Sequence, residues 1–228
     1  MSTKKANTAL YLPVALTYAA AFRGQPWNEA YKDQDGNFYG PEYDGTWEEL
    51  GLQPAYPPEE TAQYIAQELL RPDVRFASFP AQKAPETVAA AGWGYSSTAE
   101  ELVLTKWASM AEAAQTRLVD LFSAILGNSA EPLWYVAEVF VSPDFQGQGL
   151  GTRIVQSLLA NVAEVPVLLR TNRWSPMNKI ARKCGFLRIA GDVATWLDPI
   201  NADRVVYARG IIRSQKTKWV PVPNWQRR

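Results

Sequence analysis

The stretch EVFVSPDFQGQGLGTRIVQSLL, residues 138–159, determines how we interpret the rest of the chain. It begins as an apolar, strand-like run and then reaches a loop with three alternating glycines, Gly147, Gly149 and Gly151. A segment with helical spacing follows at once. Glycines let a backbone approach a ligand closely, and the first amides of a helix lack acceptors and carry partial positive charge. The stretch therefore predicts an anion site suited to a pyrophosphate.

Several kinds of loop resemble this arrangement, and they serve different chemistry. A Walker P-loop requires Gly-x-x-x-x-Gly-Lys-Ser/Thr, and the chain contains no such run. The dinucleotide motif requires G-x-G-x-x-G, but counting from Gly147 puts Thr152 at the third glycine. The next apolar strand also ends in Arg170-Thr171-Asn172 instead of an acidic residue. A glycine turn without any ligand stays open at this point.

The composition limits the kinds of catalytic and metal-binding site that the chain can form. Among 228 residues, Lys+Arg and Asp+Glu balance at 23 each, so no overall charge attracts nucleic acid, and we expect no nucleic acid partner. There is no histidine and only one cysteine, Cys184, which excludes Ser-His-Asp triads, histidine metal sites, intrachain disulfides and thiolate clusters. A general base must then be a carboxylate, Tyr, Lys, Cys or water, and we expect no metal.

The sequence also bears on location. No apolar run approaches the length of about 18 residues that spans a bilayer, so we expect no membrane partner. The N-terminus starts with basic residues, but the apolar run that follows is broken by Pro13 and lacks a clear cleavage site. We therefore expect a cytoplasmic protein, and a secretory signal peptide is the less favoured alternative.

Strand and helix patterns alternate along the chain, which predicts an α/β (α+β) fold on a mixed sheet. We predict one domain over 1–228, with an irregular insertion at about 24–58 and a basic, Pro-containing tail at about 214–228. The predicted helices are 12–23, 57–70, 98–126 (whole or in two pieces), 152–162 and 175–183, and the predicted strands are 74–79, 87–95, 133–141, 165–171, 185–190 and 204–212.

The loop at Gln146–Gly151 resembles the Q/R-x-x-G-x-G/A loop of the GNAT superfamily of acetyl-CoA-dependent N-acetyltransferases. The similarity extends to YVAEVFVSPDFQGQGLGTRIVQSLL and to VLLRTNRWSPMNKIARKCGF, which resemble that family's fourth strand to third helix and its fifth strand to fourth helix. TVAAAGWGY and AFRGQPWNEAY resemble its third strand and the segment that leaves its first helix. The resemblance implies a mostly antiparallel twisted sheet flanked by helices, with a V-shaped splay between the fourth and fifth strands.

The resemblance implies acetyl-CoA as the co-substrate, lying in that splay. The pantetheine arm would pair with the backbone of Val139 and Val141, and the pyrophosphate would bind amides at the start of the helix. The residues that this implies for acetyl-CoA binding are Val139, Val141, Gln146, Gly147, Gln148, Gly149, Leu150, Gly151, Thr152, Asn172, Ser175 and Asn178.

Attack of an amine on a thioester requires a proton acceptor, and Glu138 is the candidate base. It is the only charged residue in an apolar strand, and strict alternation would place it on the face of Trp134, Val136 and Phe140. Burial there would raise its pKa. A β-bulge, which the resemblance implies in this strand, would instead turn Glu138 to the pocket. A carboxylate paired with Arg170, or one pointing into solvent, is the alternative to the role as base.

Two further groups would serve the reaction. The amide of Val139 is the candidate donor to the oxyanion. Many family members place a tyrosine, the usual general acid, four residues before the Gly-Phe pair, but Ala181 occupies that position here, which leaves the general acid unidentified.

Trp27, Glu29, Trp93 and Tyr95 are the candidate acceptor-binding residues, although aromatic residues of the insertion suit a small core equally well. The leading hypothesis is an N-acetyltransferase that uses a ternary complex and acts on a primary amine, either a small molecule or a peptide. A non-catalytic acyl-CoA-binding or regulatory domain is the alternative, a nucleotide-binding enzyme is a weaker one, and a homodimer stays open.

Overall fold

A computed structural model describes residues 8–108, 110–126, 131–160, 162, 164–190 and 204–210. The predicted tail at 214–228 and the end of the last predicted strand lie outside the described residues, and the single-domain boundary stays a prediction. The helices are α1 (Leu12–Arg23), α2 (Pro58–Glu68), α3 (Ala99–Lys106), α4 (Glu112–Leu126), α5 (Leu150–Leu159) and α6 (Met177–Lys183). The strands are β1 (Tyr31–Lys32), β2 (Phe38–Tyr39), β3 (Gln53–Pro54), β4 (Arg75–Ala81), β5 (Ala84–Ser97), β6 (Leu133–Val141), β7 (Val167–Asn172), β8 (Leu187–Ala190) and β9 (Arg204–Arg209).

Six strands form the central sheet in the order β4-β5-β6-β7-β9-β8. Every neighbouring pair is antiparallel except β6 and β7, which run parallel. The predicted mixed, mostly antiparallel sheet flanked by helices is therefore confirmed.

The two faces of the sheet are covered by different helices. On the face that we call the front, α1 to α4 contribute Val14, Ile65, Leu102 and Phe122 to one apolar core. On the back, α5 and α6 cover a second core, to which α5 supplies Ile154. Strand residues alternate between the two cores, as the two-residue period of a strand requires.

A bulge in β6 changes which residues face the front. Trp93 of β5 pairs with Glu138, but the next β5 residue, Gly94, pairs with Val136, so Ala137 has no partner in β5. An extra residue reverses the alternation of side chains beyond it. Of the three residues that strict alternation groups with Glu138, Trp134 and Val136 face the back, whereas Phe140 belongs to the front core. The bulge therefore turns Glu138 away from Trp134 and Val136, which is the other orientation that the sequence left open. Glu138 lies opposite Trp93, a residue of the front core.

The same region opens the sheet. Parallel pairing of β6 with β7 covers three residue pairs and ends at Val136 opposite Leu169. Beyond that point β6 continues to Val141 along β5, and β7 continues to Asn172 along β9. The two strands thus stop pairing directly after Val136, so the remaining residues of β6 have no partner among the described residues on the β7 side.

The insertion between α1 and α2 contains a sheet of its own, ordered β2-β1-β3. It buries a small core of Ala30, Tyr31 and Leu52, against which Tyr39, Tyr43 and Trp47 pack. These three aromatic residues therefore belong to the small core that the sequence left as one of two alternatives. Trp27 behaves differently, since it packs against the front core of the main sheet.

Candidate active site

The glycine loop has a backbone that glycine alone adopts easily. Gly147 and Gly149 have φ angles of 77° and 78°, in the left-handed region. Gly149 precedes the first residue of α5 and has no side chain to cap the helix. The first amides of α5 consequently have no side-chain cap, a feature that is also found at helix N-termini that bind anions.

Six consecutive amides of this segment, residues 147–152, donate to no acceptor among the described residues. The first backbone bond of the helix is donated by Arg153 to the Gly149 carbonyl, at 3.2 Å. Gln146 differs from the rest, because its amide donates to the Pro143 carbonyl at 3.3 Å. Its side-chain Nε2 donates to the Val141 carbonyl at 3.4 Å, so Gln146 braces the loop against the end of β6.

A cleft of about 300 Å³ lies beside this loop, and we refer to it as the cleft. The end of β6, the glycine loop, the start of α6 and the segment after α1 surround it. Its lining includes nine of the predicted acetyl-CoA residues, namely Val139, Val141, Gln146, Gly147, Gly149, Leu150, Gly151, Thr152 and Ser175. Lys179, which the sequence did not single out, also lines it and supplies a positive charge near the loop.

The backbone of β6 presents polar groups to the opening. The amide of Ser142 donates to the Ala89 carbonyl at 2.9 Å, so residue 142 bonds toward β5. Since the bonding direction alternates along a strand, the amides of Val139 and Val141 point the other way, toward the space that β7 has left. The sequence assigned backbone groups of these two residues to the pantetheine arm and the amide of Val139 to the oxyanion.

The turn after β7 uses its polar side chains internally. Asn178 donates through Nδ2 to the carbonyls of Asn172 (2.9 Å), Arg173 (3.0 Å) and Ser175 (2.7 Å), and its Oδ1 accepts from the Tyr207 hydroxyl at 2.9 Å. The Oδ1 of Asn172 accepts from the Trp174 amide. Neither asparagine lines the cleft, so we assign both to the architecture of the turn and only Ser175 to the cleft.

Glu138 is a partly buried carboxylate at the bulge. Among the described residues, its side chain forms no hydrogen bond or ion pair. Burial raises its pKa to about 7; Lys106 opposes that rise, and Glu29 and Glu68 add to it. Arg170 donates instead to the Lys106 carbonyl at 2.8 Å and stacks on Trp107, so the alternative of a Glu138–Arg170 pair is not observed.

Tyrosines surround Glu138 on the front face. Burial raises the pKa of Tyr18 well above its usual value, and the negative charge of Glu138 raises it further. Burial likewise comes first among the causes that raise the pKa of Tyr56 and of Tyr64, and Glu138 is among the charges that contribute. Tyr18 and Tyr56 meet edge to face with ring centroids 5.0 Å apart. Sequence reasoning missed these tyrosines because they come from α1, the insertion and α2, and only tertiary packing brings them together.

The four predicted acceptor residues separate into two groups. Trp27 lines the cleft, and Glu29 is buried nearby, where it accepts a hydrogen bond from the Tyr56 hydroxyl. Burial raises the pKa of Glu29, and that hydrogen bond opposes the rise. Trp93 and Tyr95 are 0% and 1% exposed and belong to the front core, outside the cleft lining. The indole N–H of Trp93 and the hydroxyl of Tyr95 have no hydrogen-bond partner among the described residues.

The position at which many family members have a tyrosine is buried in this protein. Ala181 is fully buried in the back core, so no group there reaches the cleft. The hydroxyl residues that line the cleft are Thr152 and Ser175, and the Oγ of Ser175 accepts a hydrogen bond from the Met177 amide.

Two features are absent from the described part of the chain. No group of three or more His, Cys, Asp or Glu side chains in these residues is arranged to hold a metal ion. Likewise, none of the helices described here is long and apolar enough to cross a membrane.

The described fold combines a strand that separates from its parallel neighbour, a glycine loop and a helix whose first amides have no acceptor among the described residues. Residues 27–186 match the Acetyltransferase (GNAT) family, and the chain belongs to that family. A search of curated proteins found none that matches the sequence.

Solved structures are similar to this chain at low identity, and the first of the three described next shares its fold. A Corynebacterium glutamicum protein described as histone acetyltransferase HPA2 and related acetyltransferase is 12% identical, with 95% of this chain and 97% of that one covered and a TM-score of 0.52. An acetyltransferase from Thermus thermophilus is 14% identical, with coverage of 88% and 92% and a TM-score of 0.43. A mosquito arylalkylamine N-acetyltransferase like 5b is 12% identical, with coverage of 89% and 96% and a TM-score of 0.48.

Proposed function

We propose that this protein transfers the acetyl group of acetyl-CoA to a primary amine, by direct attack within a ternary complex. The observation that carries the proposal is the run of six amides at 147–152 that have no acceptor among the described residues. Five of these six residues line the cleft, and Gln148 does not. A diphosphate would supply the missing acceptors, with the helix start favouring its negative charge. Backbone groups of Val139 and Val141 would pair with the pantetheine arm, and the Val139 amide would remain for the oxyanion.

This placement would bring the thioester to the bulge, next to Glu138. The amine nitrogen attacks the thioester carbonyl and forms the new C–N bond, while its proton passes to the Glu138 carboxylate directly or through a water. The amide of Val139 donates to the oxyanion of the tetrahedral intermediate. The C–S bond then breaks, and the thiolate of coenzyme A leaves and takes up a proton.

Two measurements on the full chain test the proposal. Isothermal titration should show binding of acetyl-CoA, and an assay for free thiol should show coenzyme A release that depends on an added amine. A titration without binding heat at any temperature tried, together with no thiol release, would overturn it.

The alternative is a non-catalytic acyl-CoA-binding domain. The observation that favours it is Ala181, which is buried at the position where the family resemblance implies a general acid. This alternative predicts binding in the titration but no thiol release across a panel of amines. The partly buried Glu138, with its pKa of about 7, favours the enzyme, because that value suits a general base at neutral pH.

A further inference from the structure

Arg204 lies at the opening of the sheet, on the same face as Glu138. It is the first residue of β9 and pairs with Asn172 at the end of β7. Val206, two residues further along β9, belongs to the front core, so the alternation of the strand puts Arg204 on the front as well. Glu138 of β6 and Arg204 of β9 therefore lie on the same face of the sheet, and their charges interact.

The surroundings of Arg204 place it at the edge of the cleft. Its guanidinium carbon lies 4.7 Å from the centroid of the Trp27 ring, and Trp27 lines the cleft. The residue is partly buried. It forms no hydrogen bond or ion pair with any other residue that the structure describes.

Other arginines near this face are already engaged. Arg71 donates to Glu68 at 2.7 Å, Arg170 donates to the Lys106 carbonyl, and Arg23 contacts Asp44. A guanidinium removed from water without an anion is unfavourable, and its planar set of donors matches a carboxylate in two-point geometry.

The carboxylates near Arg204 attract it but form no ion pair with it among the described residues. Glu29 is engaged by the Tyr56 hydroxyl, and Glu138 forms no ion pair with the described residues. The pKa of Arg204 is lowered, first by burial and then by Arg170, while Glu29 and Glu138 oppose the change. Within the described part of the chain, the position therefore lacks a paired anion.

We infer that Arg204 binds a carboxylate of the acceptor, so that the acceptor is an amino acid or a related amino carboxylic acid. This inference rests on the proposed function, since Glu138 must accept the proton of the amine on the same molecule. The Trp27 ring would hold the guanidinium in place by stacking. A simple polyamine fits less well, because it would add positive charge beside an arginine that pairs with no described carboxylate.

The test compares matched acceptors. The panel contains amino acids with the amine and carboxylate at several separations, together with the amine obtained from each when hydrogen replaces the carboxylate, such as phenylalanine with 2-phenylethylamine and ornithine with 1,4-diaminobutane. We expect kcat/KM to favour the amino acid of at least one pair by about tenfold or more, which corresponds to about 1.4 kcal/mol.

Arg204→Gln should reduce that preference by about tenfold or more, mainly through a higher KM, because the charged partner of the carboxylate is lost. Arg204→Lys should restore part of it, since the charge returns without the planar fork. Arg117→Gln, at an exposed position on α4, is the matched control and should keep the preference. Calorimetry with acetyl-CoA shows that each variant is folded.

Three results would overturn the inference while leaving the proposed function intact. The first is that the amines without a carboxylate are acetylated as well as, or better than, the amino acids. The second is that Arg204→Gln leaves the preference unchanged, and the third is that it weakens acetyl-CoA binding instead. Absence of thiol release with every member of the panel would overturn the proposed function and this inference together.

Discussion

Glu138 shows how one residue acquires chemistry from its surroundings. It sits at the bulge of β6, partly buried, without a hydrogen bond or ion pair among the described residues. Desolvation disfavours the charged form of a carboxylate, so its pKa rises to about 7. A carboxyl group with that pKa can accept and return a proton near neutral pH.

Replacing Glu138 should separate catalysis from cofactor binding. Glu138→Gln keeps the shape of the side chain but removes the base, and we expect turnover to fall by roughly 100-fold. The affinity for acetyl-CoA in isothermal titration should change little, because the proposed anion site is at residues 147–152. Glu100→Gln, at an exposed position in α3, is the control and should retain full turnover. Full turnover in Glu138→Gln would remove Glu138 from the mechanism.

The pKa of Glu138 also predicts the pH dependence of the rate. The deprotonated form is the base, so turnover at saturating amine should be low below pH 7 and should rise as the pH passes through about 7. A pH series of thiol release measures this rise. Glu138→Gln should lose the inflection, and an inflection that persists in this variant would assign it to another group.

At the scale of elements, the bulge and the glycine loop do most to build the site. The unpaired Ala137 turns Glu138 to the front, and the loss of pairing beyond Val136 exposes the amides of Val139 and Val141 to the cleft. The left-handed glycines before α5 then orient the free amides at the other end of the cleft.

Gly149→Ala tests whether the glycine loop, with its left-handed backbone, binds acetyl-CoA. A Cβ there would meet nothing within 4 Å, so the cost comes from the φ of 78° and from disturbing the amides. We expect acetyl-CoA affinity to fall by about tenfold in isothermal titration. Gly36→Ala is a matched control, because Gly36 also has a positive φ (84°) and open space around it but lies in the insertion. An equal loss of affinity in both variants would argue against binding at this loop.

Gly92 and Gly94 of β5 allow β6 to approach closely, and Gly94 has the shorter contacts. A Cβ on Gly94 would lie 2.3 Å from Cη2 of Trp134 and 2.5 Å from the Tyr135 carbonyl oxygen, which neither strand can relieve without moving backbone. We expect Gly94→Ala to lower the free energy of unfolding by about 1–3 kcal/mol in urea titration. Gly24→Ala, where nothing lies within 4 Å, should have little effect. Equal stability of the Gly94 variant and the wild type would contradict this packing.

At the scale of the whole molecule, ligand binding and stability are linked. A ligand that binds only the folded state raises stability, by about 2.7 kcal/mol at 100 times its Kd. We expect acetyl-CoA to raise the Tm of this protein, and NAD and ATP to leave it unchanged at the same concentration. A Tm increase with NAD or ATP but not with acetyl-CoA would support the nucleotide-binding alternative.

Much of the fold follows from local patterns in the sequence. The predicted helix at 12–23 matches α1, the predicted strand at 133–141 matches β6, and the long helical stretch divides into α3 and α4. Thr98 caps α3 by accepting from the Glu101 amide at 3.2 Å, which is a signal that a sequence carries locally. The glycine loop is also a local signal of this kind, because its conformation depends on residue types a few positions apart.

The sequence by itself therefore determined the order of the elements, the family and the glycine loop before α5, since periodicity and glycine spacing act over short distances along the chain. Only the tertiary structure decided which way Glu138 points, because one unpaired residue in β6 reverses the alternation beyond it. The structure alone also buried Trp93 and Tyr95 and turned Asn178 inward. It brought Arg204 to Trp27 as well, a contact between residues far apart in the chain that forms only when β9 pairs with β7 in the folded sheet.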